Sequence, residues 1–280
     1  MKIDLKKLNL TLAEAIRIAL PKDELYLDDK VYNEKIVLYK PNITLIGKEN
    51  TVIVFGDSHS TPIRYGNGGV YGTTGSATFR VLEEAEGFRA YNITFMNDFM
   101  RNGKPNGQAV AFKSECSNMH IKDCKFIGHQ DTLYIDFGNN NVIENSYICG
   151  DIDFIFGSAD CIFKNCHIHA VNDEKDIGFY TAPSTYCVNQ NGLVFENCTF
   201  THADGMDMYL GRPWFPGGAK MDVFPKIAFK DCKISENVKL YLKKMHDNDK
   251  TQYSFMLENC EIGVIEWKRK RIVLKYFTML

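Results

Sequence analysis

Seven short segments of this 280-residue chain are versions of one another, and a repeat constrains the fold more tightly than any bulk property. They are Asn92-Ile93-Thr94-Phe95, Asp123-Cys124-Lys125-Phe126, Asn145-Ser146-Tyr147-Ile148, Asn165-Cys166-His167-Ile168, Asn197-Cys198-Thr199-Phe200, Asp231-Cys232-Lys233-Ile234 and Asn259-Cys260-Glu261-Ile262. The starts at 123, 145 and 165 lie 22 and 20 residues apart, and the other intervals are longer by loop-sized insertions. Each unit alternates as a strand does and cannot bury its inner face alone, so neighbours must stack. The pattern predicts an all-β chain wound as a right-handed parallel β-helix. Leucine-rich repeats share the period, but their leucine pattern is missing.

With 45% apolar and 24% charged residues the chain can bury a real core, and it reads as one domain over 1–280. A net charge of -2 gives no bias towards nucleic acid or an anionic membrane. No run of about 18 uncharged apolar residues exists to span a bilayer. Thr11-Leu12-Ala13-Glu14 reads as a capping box opening an amphipathic helix over about 11–20 that stops at Pro21. Such a helix would cap the N-terminal end of the coil and hide its edge strands. Lys2, Lys6 and Lys7 ahead of Leu8-Asn9-Leu10 invite a signal-peptide reading, but Glu14 and Arg17 interrupt the apolar run and no small-residue cleavage site follows. The expectation is a cytoplasmic monomer.

Five of the nine cysteines (124, 166, 198, 232 and 260) occupy one slot of the repeat, directly after Asn or Asp. That regularity predicts a ladder of small buried thiols rather than a disulfide framework. No Cys-x-x-Cys pair offers the usual zinc spacing. His167 and His169 sit two apart on one strand without an evident third ligand, so ordinary strand residues are the reading and no metal is expected. The run Lys268-Arg269-Lys270-Arg271 reads as a solvated end, with no aromatic interleaving to suggest nucleic acid.

Chemistry concentrates in two consecutive repeats. Counted from Asp123 and Asn145, Gly128 matches Gly150, Asp131 matches Asp153 and Tyr134 matches Phe156. Equal offsets on stacked coils put the two aspartates about one strand spacing apart, roughly 4.8 Å, where two carboxyls cannot both ionise cheaply. An isolated Asp would be a turn residue. Gln108 and Gln130 offer neutral amide donors suited to a developing oxyanion, although each alone reads as a solvated strand residue. Arg212, in Leu-Gly-Arg-Pro-Trp, is a permanent cation able to keep one Asp ionised, although a loop Arg is ordinarily solvent-exposed. Tyr134, Phe156 and Trp214 could show flat apolar faces to a sugar, against the default of core packing.

These residues also carry a family resemblance. Tyr71-Gly72-Thr73-Thr74-Gly75-Ser76-Ala77, Gln108-Ala109-Val110-Ala111, Gly128-His129-Gln130-Asp131-Thr132-Leu133-Tyr134, Asp151-Ile152-Asp153-Phe154-Ile155-Phe156-Gly157, Tyr180-Thr181-Ala182-Pro183 and Leu210-Gly211-Arg212-Pro213-Trp214 resemble the successive signatures of pectin methylesterases, carbohydrate esterase family 8. The resemblance implies a metal-free and cofactor-free aspartyl esterase that removes methyl groups from the C6 carboxylates of pectin or oligogalacturonides. By position it implies Asp153 as nucleophile, Asp131 as general acid and then base, and Arg212 as the partner of Asp153. Gln108 and Gln130 would form the oxyanion hole, with Tyr134, Phe156 and Trp214 lining the sugar cleft.

Two departures stand out. The family's opening Gly-x-Tyr-x-Glu appears as Lys30-Val31-Tyr32-Asn33-Glu34, without its glycine, and beyond Trp214 the resemblance fades through residues 235–280. Rival readings are a β-helical polygalacturonate glycosidase, which also pairs carboxylates, and a lyase, for which no calcium-binding acidic cluster is found. A thioesterase and a non-catalytic carbohydrate-binding β-helix complete the alternatives.

Overall fold

The Asn or Asp that opens each repeat is where the chain bends. All seven adopt left-handed φ, between 49° and 54°. Asn and Asp tolerate this region better than other residues with a Cβ, because the short polar side chain bonds locally. The slot is thus a conformational requirement. A strand arrives, one residue turns it, and a second strand leaves, as in Cys161–Lys164, Asn165 and His167–Ala170. Side chains at the bend bond along the axis, Asn165 Nδ2 to Asn145 Oδ1 at 3.3 Å and Asn197 Nδ2 to Asn165 Oδ1 at 2.7 Å.

The computed structural model describes residues 1–64, 68–102, 107–172, 176–216, 223–244 and 252–263, and the backbone of 270–279. Among these, strands that are parallel except for Lys270–Met279 stack into a 19-stranded sheet folded at the Asn bends, beside a second sheet of eight strands. The chain is therefore a parallel β-helix. Register is continuous across the repeats, with Lys125 beside Tyr147, Tyr147 beside His167, His167 beside Thr199 and Thr199 beside Lys233. Inward positions fill the interior with stacked rings, Phe163 on Phe195 at 4.6 Å and Phe195 on Phe229 at 5.2 Å.

The five repeat cysteines are buried free thiols. Each Sγ points to the carbonyl two residues back, at 3.3 Å for Cys124 and Cys232. Ser146, in the same slot, donates to Glu144 O at 2.8 Å. In six of the seven repeats the slot thus holds a small side chain that closes the bend on itself, with Ser146 in place of Cys, while the first repeat fills it with buried Ile93.

The N-terminal region packs as the expected cap, with a shorter helix, Leu12–Ile18, closed by the Thr11–Glu14 capping box. Glu34 accepts the backbone N–H groups of Leu12 and Ala13 at 3.0 and 2.9 Å, and Lys40 Nζ donates to the carbonyls of Ile16, Arg17 and Ala19. Both helix ends are thereby satisfied by side chains from the first coils. Glu34 keeps a clear task although the family glycine before it is replaced by exposed Lys30. The segment with signal-like character contributes a strand, Lys2–Asp4, and a helical turn, Leu5–Leu8, that the sequence did not suggest, burying Ile3 and Leu5. Lys268 and Arg269 lie outside the described residues. At the other end the backbone of Lys270–Met279 pairs antiparallel with Tyr253–Ile262.

His167 and His169 both face Thr201, each with a ring nitrogen 2.8 Å from its Oγ1. They serve as strand residues on the outer wall.

The left-handed bend gives a direct test. Asn165→Ala should cost roughly 1–2 kcal/mol, the penalty of forcing a Cβ without a polar side chain into this conformation. Asn165→Gly should cost less. Urea unfolding midpoints of the two variants would check the order.

Candidate active site

Asp131 and Asp153 both stand at left-handed φ, 67° and 52°. Asp tolerates this conformation, as Asn and Asp do at the bends of the main sheet, and here it recurs on two adjacent coils. The surroundings hold it in place. Asp131 N donates to Ile152 O at 3.1 Å, and Thr132 Oγ1 lies 3.0 Å from His129 O and 2.9 Å from Cys149 O. Gly150 is required by close approach, because a Cβ there would come within 2.5 Å of His129 O and 2.3 Å of Phe154 Cβ.

Asp153 falls where the pairing of Ile152–Gly157 with Ile177–Pro183 slips by one residue. A bulge of this kind re-aims a side chain. Phe154 goes into the core while Asp153 lines a cleft of about 550 Å³ together with Asp131, Gln108, Gln130 and Arg212. The five polar residues singled out from the sequence are brought together. Oε1 of Gln108 is buried and makes no hydrogen bond within the described residues.

Arg212 is placed by the coil above. Its N–H donates to Thr181 O at 3.0 Å, and Gly211 lets the chains approach, since a Cβ there would meet Thr181 Oγ1 at 2.1 Å. From that position Arg212 Nε donates to Asp153 Oδ1 at 2.8 Å and Oδ2 at 3.1 Å, and Nη2 donates to Oδ2. The guanidinium also lies over the Phe179 ring, 4.5 Å from its centroid. The solvent-exposed loop Arg suggested by position alone is instead packed and paired.

This asymmetry separates the two carboxyls. Burial raises Asp131 well above the ordinary carboxylate range, the charge of Asp153 adds to the rise, and Arg212 opposes it. Burial also raises Asp153, but the hydrogen bonds and charge of Arg212 pull it back. Asp153 therefore ionises first and the proton stays on Asp131. Asp151, fully buried and paired with Arg101 at 3.2 Å, adds a further upward push on Asp131.

Tyr134, Phe156 and Trp214 all line the cleft, in a small apolar cluster with Ala77, Val110 and Ala182. Their presentation differs from the flat faces expected. Tyr134 is in register with Phe156, so the rings stack on each other with centroids 4.1 Å apart and 19° between planes. Equal offsets on neighbouring strands turn the faces inward along the axis and leave edges for a ligand. Trp214 stands edge-on to both, at 6.4 and 5.7 Å, its backbone N–H donating to Pro183 O at 2.9 Å.

Part of the lining was not assigned from sequence. Tyr71, Thr73 and Thr74 line the cleft from the helical turn Gly72–Gly75 and its start, as does Phe215 beyond Trp214. The 71–77 segment was visible as a motif, but it has no same-offset partner in the next coil to mark it as lining.

The fold and site together define a parallel β-helix carrying an aspartate pair with one member locked by arginine. The chain belongs to the pectinesterase family, whose model matches residues 6–240. It is 37% identical over 175 residues to pectinesterase 31 of Arabidopsis thaliana, covering 62% of this chain and 53% of that protein. The chain spans about half the length of the plant pectinesterases it matches first. Among solved structures, the pectin methylesterase from Yersinia enterocolitica is 26% identical with a TM-score of 0.77, over 94% of this chain and 93% of that one. A pectin methylesterase in complex with a hexasaccharide superimposes with a TM-score of 0.78 at 22% identity, over 97% of this chain and 92% of that one.

Proposed function

We propose that this protein hydrolyses the C6 methyl esters of pectin or oligogalacturonides to carboxylate and methanol. The observation that carries the reading is the unequal aspartate pair, in which Arg212 holds Asp153 while burial keeps Asp131 protonated. The Asp153 carboxylate attacks the ester carbonyl carbon, and amide N–H groups of Gln108 and Gln130 receive the negative charge that develops on its oxygen. As the tetrahedral species collapses, Asp131 gives its proton to the departing methoxide, releasing methanol and leaving an acyl–Asp153 anhydride. Water then attacks that acyl carbon, losing a proton to the Asp131 carboxylate, and Asp153 leaves as carboxylate. Both residues return to their starting states. No metal or cofactor enters this scheme.

Membership in the pectinesterase family and the hexasaccharide held by a structural neighbour support a uronate oligomer as ligand. The test is product analysis on methylated oligogalacturonides of defined length. Methanol release without new reducing ends or unsaturated sugars is the expected result, whereas either of the latter would point to a glycosidase or a lyase. Gln130→Ala should lower kcat by about 10²-fold with a smaller change in KM, since an oxyanion donor acts mainly in the transition state. A change confined to KM would make Gln130 a substrate-positioning residue.

A further inference from the structure

Beneath the cleft lies a buried lysine that the esterase scheme does not use. Lys113, on Phe112–Ser114, is in register with Tyr134, which is in register with Phe156. Its ammonium is almost wholly shielded from solvent and lies 4.1 Å from the centroid of the Tyr134 ring. The ammonium donates to Thr74 Oγ1 at 3.0 Å and forms ion pairs with Glu115 Oε1 at 3.0 Å and Asp136 Oδ2 at 3.1 Å. Those carboxylates are tied in turn. Glu115 takes two bonds from Arg80, at 3.0 and 2.9 Å, and Asp136 accepts from Ser158 Oγ at 2.9 Å and interacts with the Tyr134 phenol.

The bland reading is a charge network that merely holds coils together. A packed apolar side chain would do that at lower desolvation cost, since buried ion pairs seldom stabilise more than hydrophobic residues of similar volume. Directed bonds supply geometry instead. Two of the four groups around the ammonium, Thr74 and Tyr134, line the cleft from separate coils, one on the helical turn Gly72–Gly75 and one on the strand Leu133–Ile135. Tyr134 is gripped between the Lys113 cation and the Phe156 ring, so the edge it shows the cleft is set by both neighbours. Thr74 otherwise sits on a four-residue helical turn whose start has no side-chain cap.

We propose that Lys113 is a positioning residue that sets the separation between Thr74 and Tyr134, and so governs how a uronate chain fits the cleft. The inference rests on the esterase reading for its substrate class. Asp131 and Asp153 are held by other contacts, from Arg212, Thr132 and the bulge. Lys113 thereby acts on binding of ground and transition states alike, which appears in KM and leaves kcat nearly untouched.

The experiment uses the full chain and a fully methylated hexagalacturonate. Lys113→Met should raise KM about tenfold or more while kcat changes less than about threefold, and Lys113→Arg should recover part of the loss. Thr74→Val removes one bond at the cleft end without altering charge, and should raise KM in the same direction by a smaller factor. The double variant Lys113→Met/Thr74→Val should fall short of the product of the two single effects, because both loosen one contact. An unchanged KM in a folded Lys113→Met protein overturns the proposal, as does a loss carried by kcat. Should Lys113→Met fail to fold, Thr74→Val decides, and an unaltered KM there is equally fatal. If the wild-type protein releases no methanol, the esterase reading fails by itself. The same ranking of variants, read as Kd for unmethylated hexagalacturonate by calorimetry, then decides the role of Lys113.

Discussion

Asp153→Asn should abolish methanol release, lowering turnover by about 10³-fold or more, because an amide cannot replace the carboxylate as nucleophile. The substitution leaves the backbone as it is. Asn accepts left-handed φ as readily as Asp does, so the 52° conformation at this position is kept without added strain. The neutral amide leaves Arg212 without its counter-charge, so the unfolding temperature should fall, and the loss of rate is read on protein verified as folded. In the parent protein, activity should rise with pH as Asp153 ionises, at a point above the ordinary carboxylate range because burial raises it. It should fall again at higher pH as Asp131 loses the proton that methanol departure needs. The limbs belong to the pair. Asp131→Asn should leave slow residual turnover from which the alkaline limb is gone. Near-normal methanol release from Asp153→Asn, or an alkaline limb unmoved in Asp131→Asn, would sink the assignment.

Arg212→Met should cost about 10²-fold in turnover at the parent's optimum, and the cause should be visible in the pH profile. Without the guanidinium, burial acts on Asp153 unopposed, so it binds its proton more tightly and the acid limb moves to higher pH. Asp131 is also pulled down by Arg212, and its limb should move the same way, by less, since it makes no direct bond to the cation. Part of the lost rate should return when the assay pH is raised. A profile that drops in height without moving would mean that Arg212 orients Asp153 and leaves its ionisation alone. Methanol release followed across pH for both proteins distinguishes the two.

Much of this was legible before any coordinates, because a solenoid turns sequence offset directly into spatial adjacency. A separation of 22 residues sufficed to put Asp131 beside Asp153 and Tyr134 beside Phe156, and the repeated Asn or Asp marked seven bends of the main sheet. The capping box at Thr11 and Glu14 is likewise local. It needs nothing beyond four consecutive residues.

Contacts between elements without a shared offset were decided only in three dimensions. That Arg212 grips Asp153 rather than Asp131 depends on the close passage of Gly211 against Thr181, which no spacing announces. The same holds for Glu34 and Lys40 at the two ends of the cap helix, more than 20 residues away. Tyr134 and Phe156 line the cleft, yet their faces are spent on each other, since in-register rings at strand spacing stack along the axis. Lys113 is the clearest case. On its own strand it is an outward-facing lysine, which sequence alone assigns to solvent, and it is buried because the 71–76 turn and the Tyr134 ring close over it from separate coils. Periodicity determined which residues are neighbours along the axis, while insertions between coils, whose paths obey no period, determined which of those neighbours are covered, charged and held.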